Sequence, residues 1–96
     1  MKFSLPTVNQ TNDEHDTELL IILMEECAEV QQACSKILRY GDSISSINNL
    51  TKELGDLQCM INLAQEHLVN PTKVHEGVYE KRRKLKKWSN LKLWNY

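Results

Sequence analysis

The fold of this chain follows from residues 18–40, ELLIILMEECAEVQQACSKILRY, which contain neither glycine nor proline. Apolar side chains recur there every three or four positions, the spacing that places them on one face of an α-helix. That stripe consists of Leu19, Ile22, Leu23, Val30, Ala33 and Ile37. Residues 11–14 have the spacing of a capping box, and Gly41 suits the position just beyond a helix. We therefore expect this helix to begin near Thr11 and to end at Tyr40.

A second helix is expected after a turn at residues 41–43. It should begin at Ser45 or Ser46, stop near Val69 and carry a single apolar stripe. The members of that stripe are Ile47, Leu50, Leu54, Leu57, Met60 or Ile61, and Ala64.

Asn70 followed by Pro71 predicts the start of a third helix, because asparagine caps helices and proline suits their first position. This helix should run to about Trp88, which we expect to pack in the core. Its apolar positions are Val74, Val78, Leu85 and Trp88. The sequence thus predicts an all-α fold, in which long antiparallel helices form part of a helical bundle completed by oligomerisation. A homodimer or homotetramer is expected because so short a chain leaves an apolar flank poorly covered.

We expect a single domain over residues 1–96, since domains commonly hold ~100–150 residues. Residues 1–12 read as an N-terminal arm and residues 89–96 as a C-terminal tail. In the tail, Trp94 and Tyr96 could stack on a nucleobase or cover a neighbouring subunit, and the sequence does not decide between these roles.

The net charge of −1 conceals two oppositely charged parts. Residues 1–70 carry 4 basic and 11 acidic side chains, a balance of −7, whereas residues 71–96 carry 8 and 2, a balance of +6. The near-neutral total excludes a uniformly polycationic nucleic-acid binder and a highly acidic solvating chain. Three glycines and two prolines are also too few for a turn-rich β-sandwich.

Targeting signals and cysteine usage favour a cytoplasmic protein with no membrane partner. No apolar run approaches the ~18 residues that cross a bilayer, and the first residues, MKFSLPTVNQTNDEHD, lack the apolar segment of a signal peptide. Three cysteines without a CxxC pair favour reduced, partly buried thiols. The histidines His15, His67 and His75 are scattered along the sequence, so a structural zinc site is not expected.

Pairs of carboxylates border the apolar stripes of both long helices. Glu26 and Glu29 lie three residues apart on the first helix, and the second helix repeats this spacing with Glu53 and Asp56. Residues three apart share a helix face, so antiparallel packing can bring both pairs together towards the interior. One such pair is common on a solvated helix, but four crowded carboxylates need a compensating cation. Their all-oxygen ligands suit Mg²⁺, with Mn²⁺ possible.

Gly55 lies inside the second helix, next to these carboxylates. A glycine there costs about 1 kcal/mol relative to alanine. Its presence suggests that another backbone or a ligand approaches closely at this position.

The carboxylate pattern resembles that of the MazG-like nucleoside triphosphate pyrophosphohydrolases, within the all-α NTP pyrophosphatase superfamily. That family carries EExxE on one helix and ExxD on the next. Here residues 25–29, EECAE, match the first motif and residues 53–56, ELGD, match the second. The resemblance covers roughly residues 18–88.

This resemblance implies Mg²⁺-dependent hydrolysis of a ribo- or deoxyribonucleoside triphosphate to its monophosphate and pyrophosphate. The catalytic residues that it implies are Glu25, Glu26, Glu29, Glu53 and Asp56. The last four would bind the metal. Glu25 would support them or orient water, or would be a plain surface residue.

The resemblance also implies cations for the substrate's phosphates on the basic third helix. Lys81 matches the family's lysine, Lys84 stands where the family has an arginine, and Tyr79 stands where it has an asparagine. Lys36 and Arg39, late in the first helix, are further candidates. Pyrophosphate is a highly charged leaving group, which is why cations are expected beside it.

Two other functions fit part of the pattern. A non-catalytic helical module could bind nucleic acid through the basic third helix with strong salt dependence, but it would have no use for the carboxylates. Alternatively, a non-catalytic helical protein could hold a structural cation in the acidic cluster or recruit a partner through its open flank. A nucleoside triphosphate remains the expected partner.

Overall fold

The computed structural model describes residues 13–92, which form three α-helices. Helix α1 spans Asp13–Tyr40, α2 spans Ile44–His67 and α3 spans Pro71–Trp88. No strand occurs within the described residues, so the prediction of an all-α chain is confirmed. The predicted N-terminal arm, the threonine of the predicted capping box, Trp94 and Tyr96 lie outside the described residues.

Gly41 ends α1 as predicted. Its φ angle of +89° is a left-handed conformation that glycine adopts at little steric cost. The Gly41 N–H donates to the carbonyl oxygen of Ile37 at 2.8 Å, which satisfies one of the last carbonyls of the helix.

Ser43 caps α2, which therefore begins at Ile44. The Ser43 Oγ accepts from the N–H of Ser46 at 3.1 Å, and the Ser43 N–H donates to the Ser46 Oγ at 2.8 Å. The prediction that α2 begins at Ser45 or Ser46 was wrong by one or two residues. Three nearby serines offer alternative caps, and only the reciprocal hydrogen bonds distinguish them.

Helix α2 ends at His67, before the predicted end near Val69. The N–H groups of Leu68 and Val69 both donate to the carbonyl oxygen of Ala64, at 2.7 and 2.9 Å. Because two donors share one acceptor, the α-helical pattern of one carbonyl for each N–H stops there. Backbone hydrogen bonding therefore continues to Val69, but the regular α-helix ends at His67.

Asn70 caps α3 as predicted. The Asn70 Oδ1 accepts from the N–H groups of Thr72 and Lys73, at 2.8 and 3.3 Å. Pro71 occupies the start of the helix, where the missing N–H costs no hydrogen bond.

Helices α1 and α2 pack antiparallel around a small apolar core. The buried cluster consists of Leu19, Met60 and Ala64, and Ala33 is buried separately on α1. Partly buried apolar side chains surround the cluster: Ile22, Leu23, Leu63 and Leu68. These two helices form a hairpin, and we use that word for α1 and α2 together.

Helix α3 packs against α2 and does not reach α1 within the described residues. A groove of about 300 Å³ between α2 and α3 is lined by residues that include Ile61, Val74 and Val78. Trp88 is 77% exposed, so the prediction that it packs in the core was wrong: α3 contacts too little of the hairpin to cover its own last turn. Twelve large apolar side chains of residues 13–92 are exposed, and they are distributed over all three helices and the segments beside them.

All three thiols are exposed, so the prediction of partly buried cysteines was wrong, because each lies away from the narrow seam between α1 and α2. None of the helices in the described part of the chain combines the length and apolar character needed to cross a membrane.

Candidate metal centre

Three carboxylates from the two long helices converge on one side of the hairpin. Glu26 comes from α1, and Glu53 and Asp56 lie one turn apart on α2. Each contributes an oxygen atom, and these three oxygens lie within 4.8 Å of one another. All three residues are half-buried. We call Glu26, Glu53 and Asp56 the carboxylate triad; residues 13–92 contain no other such group of three potential metal ligands.

The packing register of the hairpin brings the triad together. His15 of α1 meets His67 of α2 near the open end of the hairpin. Glu26 lies eleven residues after His15 on α1, and Asp56 lies eleven residues before His67 on α2. These two carboxylates also meet, at a level closer to the turn. Eleven residues make about three helical turns, so both helices present the same face to each other at the two levels.

Glu25 and Glu29 lie outside the triad. Both side chains are exposed, although the sequence places them one and three residues from Glu26. Glu29 remains close enough for its negative charge to raise the pKa of Glu26. The structure therefore brings three of the four predicted metal ligands together and leaves the fourth at the rim.

The pKa of Glu26 is raised above its ordinary value of 4.5. Loss of water around the half-buried carboxyl is the largest cause, followed by the negative charges of Asp56, Glu53 and Glu29. The positive charge of Lys52 acts in the opposite direction. The loss of water and the neighbouring negative charges both disfavour the ionised form of Glu26. A bound cation would offset the repulsion from the neighbouring charges.

Lys52 supplies a cation to the triad from within α2. Its Nζ donates to the Asp56 Oδ2 at 2.9 Å, and this hydrogen bond, together with the charges of Asp56 and Glu53, raises the pKa of Lys52. Sequence reasoning missed this residue. The available signal was the four-residue spacing from Lys52 to Asp56, which places both on one helix face.

The residues of the triad fit a hard divalent cation. They offer only oxygen donors, and three carboxylates with one ammonium leave two negative charges when all are ionised. The Lys52–Asp56 pair is largely exposed, so it holds Asp56 with little energy and a cation of higher charge can displace it. At Gly55 a side chain would meet open space, since no side chain and no other element lies within 4 Å of where it would begin. No backbone of the described residues makes the close approach that Gly55 suggests.

The predicted phosphate-binding cations do not join the triad within the described residues. Lys36 lines a shallow pocket at the turn between α1 and α2, and Arg39 lies over the ring of Tyr40 at 5.2 Å. Lys81 and Lys84 are exposed on α3, and among the described residues neither forms an ion pair. The helices that carry these four cations agree with the sequence analysis, but their side chains do not lie beside the carboxylates.

Comparison of the chain with protein-family models, with curated proteins and with solved structures gives no match. The resemblance to MazG-like enzymes therefore rests on the two carboxylate motifs and on their place in an all-α chain.

Glu26→Gln is expected to raise the Tm of the metal-free chain at neutral pH, because it removes one of three crowded negative charges without changing shape. A folded-state pKa above the ordinary 4.5 means that stability present at lower pH is lost as pH rises through the raised pKa. The Tm difference between variant and parent, measured by circular dichroism in EDTA, should therefore be near zero below pH 4.5 and grow towards neutrality.

The matched control is Glu66→Gln, an exposed carboxyl on α2 outside the triad. Its Tm difference at neutral pH should be smaller than that of Glu26→Gln, because it removes no charge from the triad. An equal rise for both variants, or a lower Tm for Glu26→Gln at neutral pH, would contradict the electrostatic account of the triad.

Proposed function

We propose that this protein is a nucleoside triphosphate pyrophosphohydrolase that uses Mg²⁺, or Mn²⁺ in its place. The observation that carries the proposal is the convergence of Glu26, Glu53 and Asp56 within 4.8 Å. Such a site suits a hard cation, and hydrolysis of a triphosphate requires one to offset its negative charge. The EExxE and ExxD motifs that contain these residues support the reaction class.

The triad would hold the metal, which when bound would neutralise charge on the phosphate oxygens and acidify water. Glu29 is the fourth proposed ligand because it lies one turn from Glu26 at the rim of the site. Glu25 is proposed to orient water. One carboxylate of the site is proposed to accept the proton of the attacking water.

The proposed reaction breaks the bond between the α-phosphorus and the oxygen that bridges it to the β-phosphorus. The water oxygen bonds to the α-phosphorus, its proton passes to a carboxylate, and pyrophosphate leaves with the bonding electron pair. Lys81 and Lys84 are proposed to bind the pyrophosphate, and Lys36 and Arg39 are proposed as further phosphate ligands. All four are exposed, so their side chains are free of the core.

The substrate-free site is proposed to use Lys52 as its resident cation. Lys52 must leave Asp56 when the metal binds, because both compete for the same carboxylate. A lysine released in this way has a phosphate oxygen as its next available partner. This role makes Lys52 a positioning residue for the triad in the absence of substrate.

We propose that a second copy of the chain completes the bundle as a homodimer, or in pairs as a homotetramer. On α2 the positions Ile61, Leu54 and Ile47 recur every seven residues and share one face. Helix α3 lines the groove at Ile61, whereas Leu54 is 48% exposed and Ile47 is 43% exposed. The open space at Gly55, beside Leu54, gives a helix of a second copy room to approach.

The charge balance supports association of identical chains. Residues 1–70 carry −7 and residues 71–96 carry +6, so the basic α3 of one copy complements the acidic hairpin of another. Such an arrangement would bring Lys81 and Lys84 of one copy towards a carboxylate triad. The three exposed thiols suit a reducing compartment, and we propose a cytoplasmic location.

Pyrophosphate release tests the proposed activity. The protein, incubated with each canonical ribo- and deoxyribonucleoside triphosphate and Mg²⁺, should release pyrophosphate from at least one of them. Glu53→Gln combined with Asp56→Asn should lower kcat/KM by at least about 100-fold, because it removes two charged ligands of the metal. Glu66→Gln, which lies outside the triad, should retain the activity of the parent.

No pyrophosphate from any substrate at high protein concentration would overturn the enzymatic proposal. Salt-dependent binding of DNA or RNA in place of hydrolysis would favour the nucleic-acid-binding alternative. Full activity of the double variant would leave the reaction class intact and overturn the assignment of the metal ligands.

Leu54→Lys is expected to weaken self-association, because it places a charge at the proposed interface. The measurement is sedimentation velocity over a range of concentrations, in which the parent should exceed the 11.2 kDa of one chain. Leu38→Lys is the matched control, since Leu38 is 85% exposed on α1, away from the α2 stripe. A monomeric parent, or equal association of the parent and the Leu54→Lys variant, would contradict the proposal.

A further inference from the structure

Two histidines that are far apart in sequence meet at the open end of the hairpin. His15 lies in the first turn of α1, and His67 is the last residue of α2. Their ring centroids are 4.9 Å apart, with the rings inclined by 69°. The interpretation of the histidines as scattered therefore fails for this pair, because the antiparallel register joins positions more than 50 residues apart.

Asp16 orients the ring of His15. The His15 Nδ1 lies 3.1 Å from the Asp16 Oδ1. When the imidazole is neutral and its Nδ1 donates to this carboxylate, the Nε2 is the nitrogen that presents a lone pair to an ion. Metal-binding histidines typically have this arrangement, in which a carboxylate holds one ring nitrogen and the other binds the ion.

The surroundings of the pair favour a cation. A cavity of about 210 Å³ adjoins the rings, and Glu18 lines it together with both histidines. His67 lies at the C-terminal end of α2, where the helix dipole is negative. The apolar side chains of Leu19 and Met60 also line this cavity.

We propose that His15 and His67 bind one Zn²⁺, Ni²⁺ or Cu²⁺ ion between the beginning of α1 and the end of α2. Imidazole nitrogen is a preferred ligand of Zn²⁺, Ni²⁺ and Cu²⁺, whereas Mg²⁺ prefers oxygen. Two imidazoles supply two ligands, and water would fill the remaining positions. The ion would cross-link the start of α1 to the end of α2, at the end of the hairpin opposite the turn.

This site is distinct from the carboxylate triad. Eleven residues separate the two levels on each helix, which corresponds to about 16 Å along the hairpin. The donor atoms also differ in kind, nitrogen at one level and oxygen at the other. The proposal therefore stands whether or not the protein is a pyrophosphohydrolase.

The test is a Zn²⁺ titration of the full chain in excess Mg²⁺, followed by calorimetry and by the NMR signals of the histidine rings. One Zn²⁺ should bind per chain and shift the ring signals of His15 and His67 together, leaving those of His75 unchanged. His15→Gln and His67→Gln should each weaken binding by at least about tenfold, and Asp16→Asn by roughly tenfold. His75→Gln, an exposed histidine of α3, is the matched control.

A second readout is thermal stability, since an ion that binds only the folded hairpin must stabilise it. Zn²⁺ should raise the Tm of the parent and of the triad variant Glu53→Gln, but not that of His15→Gln or His67→Gln. The proposal is overturned if Zn²⁺ shifts neither ring or only one, or if His15→Gln and His67→Gln bind it as the parent does. Both histidine side chains are exposed, so these substitutions leave the core intact.

Discussion

Leu19 of α1 packs against Met60 and Ala64 of α2, and this contact fixes how the two long helices lie against each other. The same register sets Glu26 opposite Asp56 on the turn side of the core. A fully buried leucine or methionine contributes on the order of 1.5–3 kcal/mol. Only four hydrophobic residues are buried in the described part of the chain, so this small core must also hold three like charges together.

A cation bound at the triad would therefore relieve electrostatic repulsion within the fold. Repulsion among its carboxylates opposes the packing of α1 against α2, and Lys52 offsets it only in part, as the raised pKa of Glu26 records. A divalent ion that binds only the folded hairpin would add to its stability by mass action. The near-zero net charge of the chain is thus the sum of an acidic hairpin and a basic α3.

Local sequence signals predicted the parts of the fold that depend on neighbouring residues. Gly41 and Asn70 were placed correctly because each cap involves hydrogen bonds within a few residues. The prediction that Trp88 is buried was wrong, because its burial depends on how far α3 packs along the hairpin. The spacing of apolar residues within α3 carries no information about that. Ser43 was missed as a cap because the choice among adjacent serines depends on side-chain hydrogen bonds.

The candidate site was predictable in part for the same reason. The three-residue spacing of Glu53 and Asp56 predicts that they share a face, and antiparallel packing predicts that Glu26 can meet them. The pairing of His15 with His67 was missed, because it requires the register of one helix against the other. The approach of cations from α3 stays a prediction, since α3 does not contact α1 within residues 13–92.

The central claim is that one divalent cation binds between α1 and α2 at the carboxylate triad. Substoichiometric Mn²⁺, added to the isotope-labelled chain, broadens the amide NMR signals of residues near the bound ion. The account predicts that broadening begins around Glu26 on α1 and around Glu53 and Asp56 on α2, and that excess Mg²⁺ reverses it. Broadening that begins elsewhere, or that affects only one of the two helices, would contradict it.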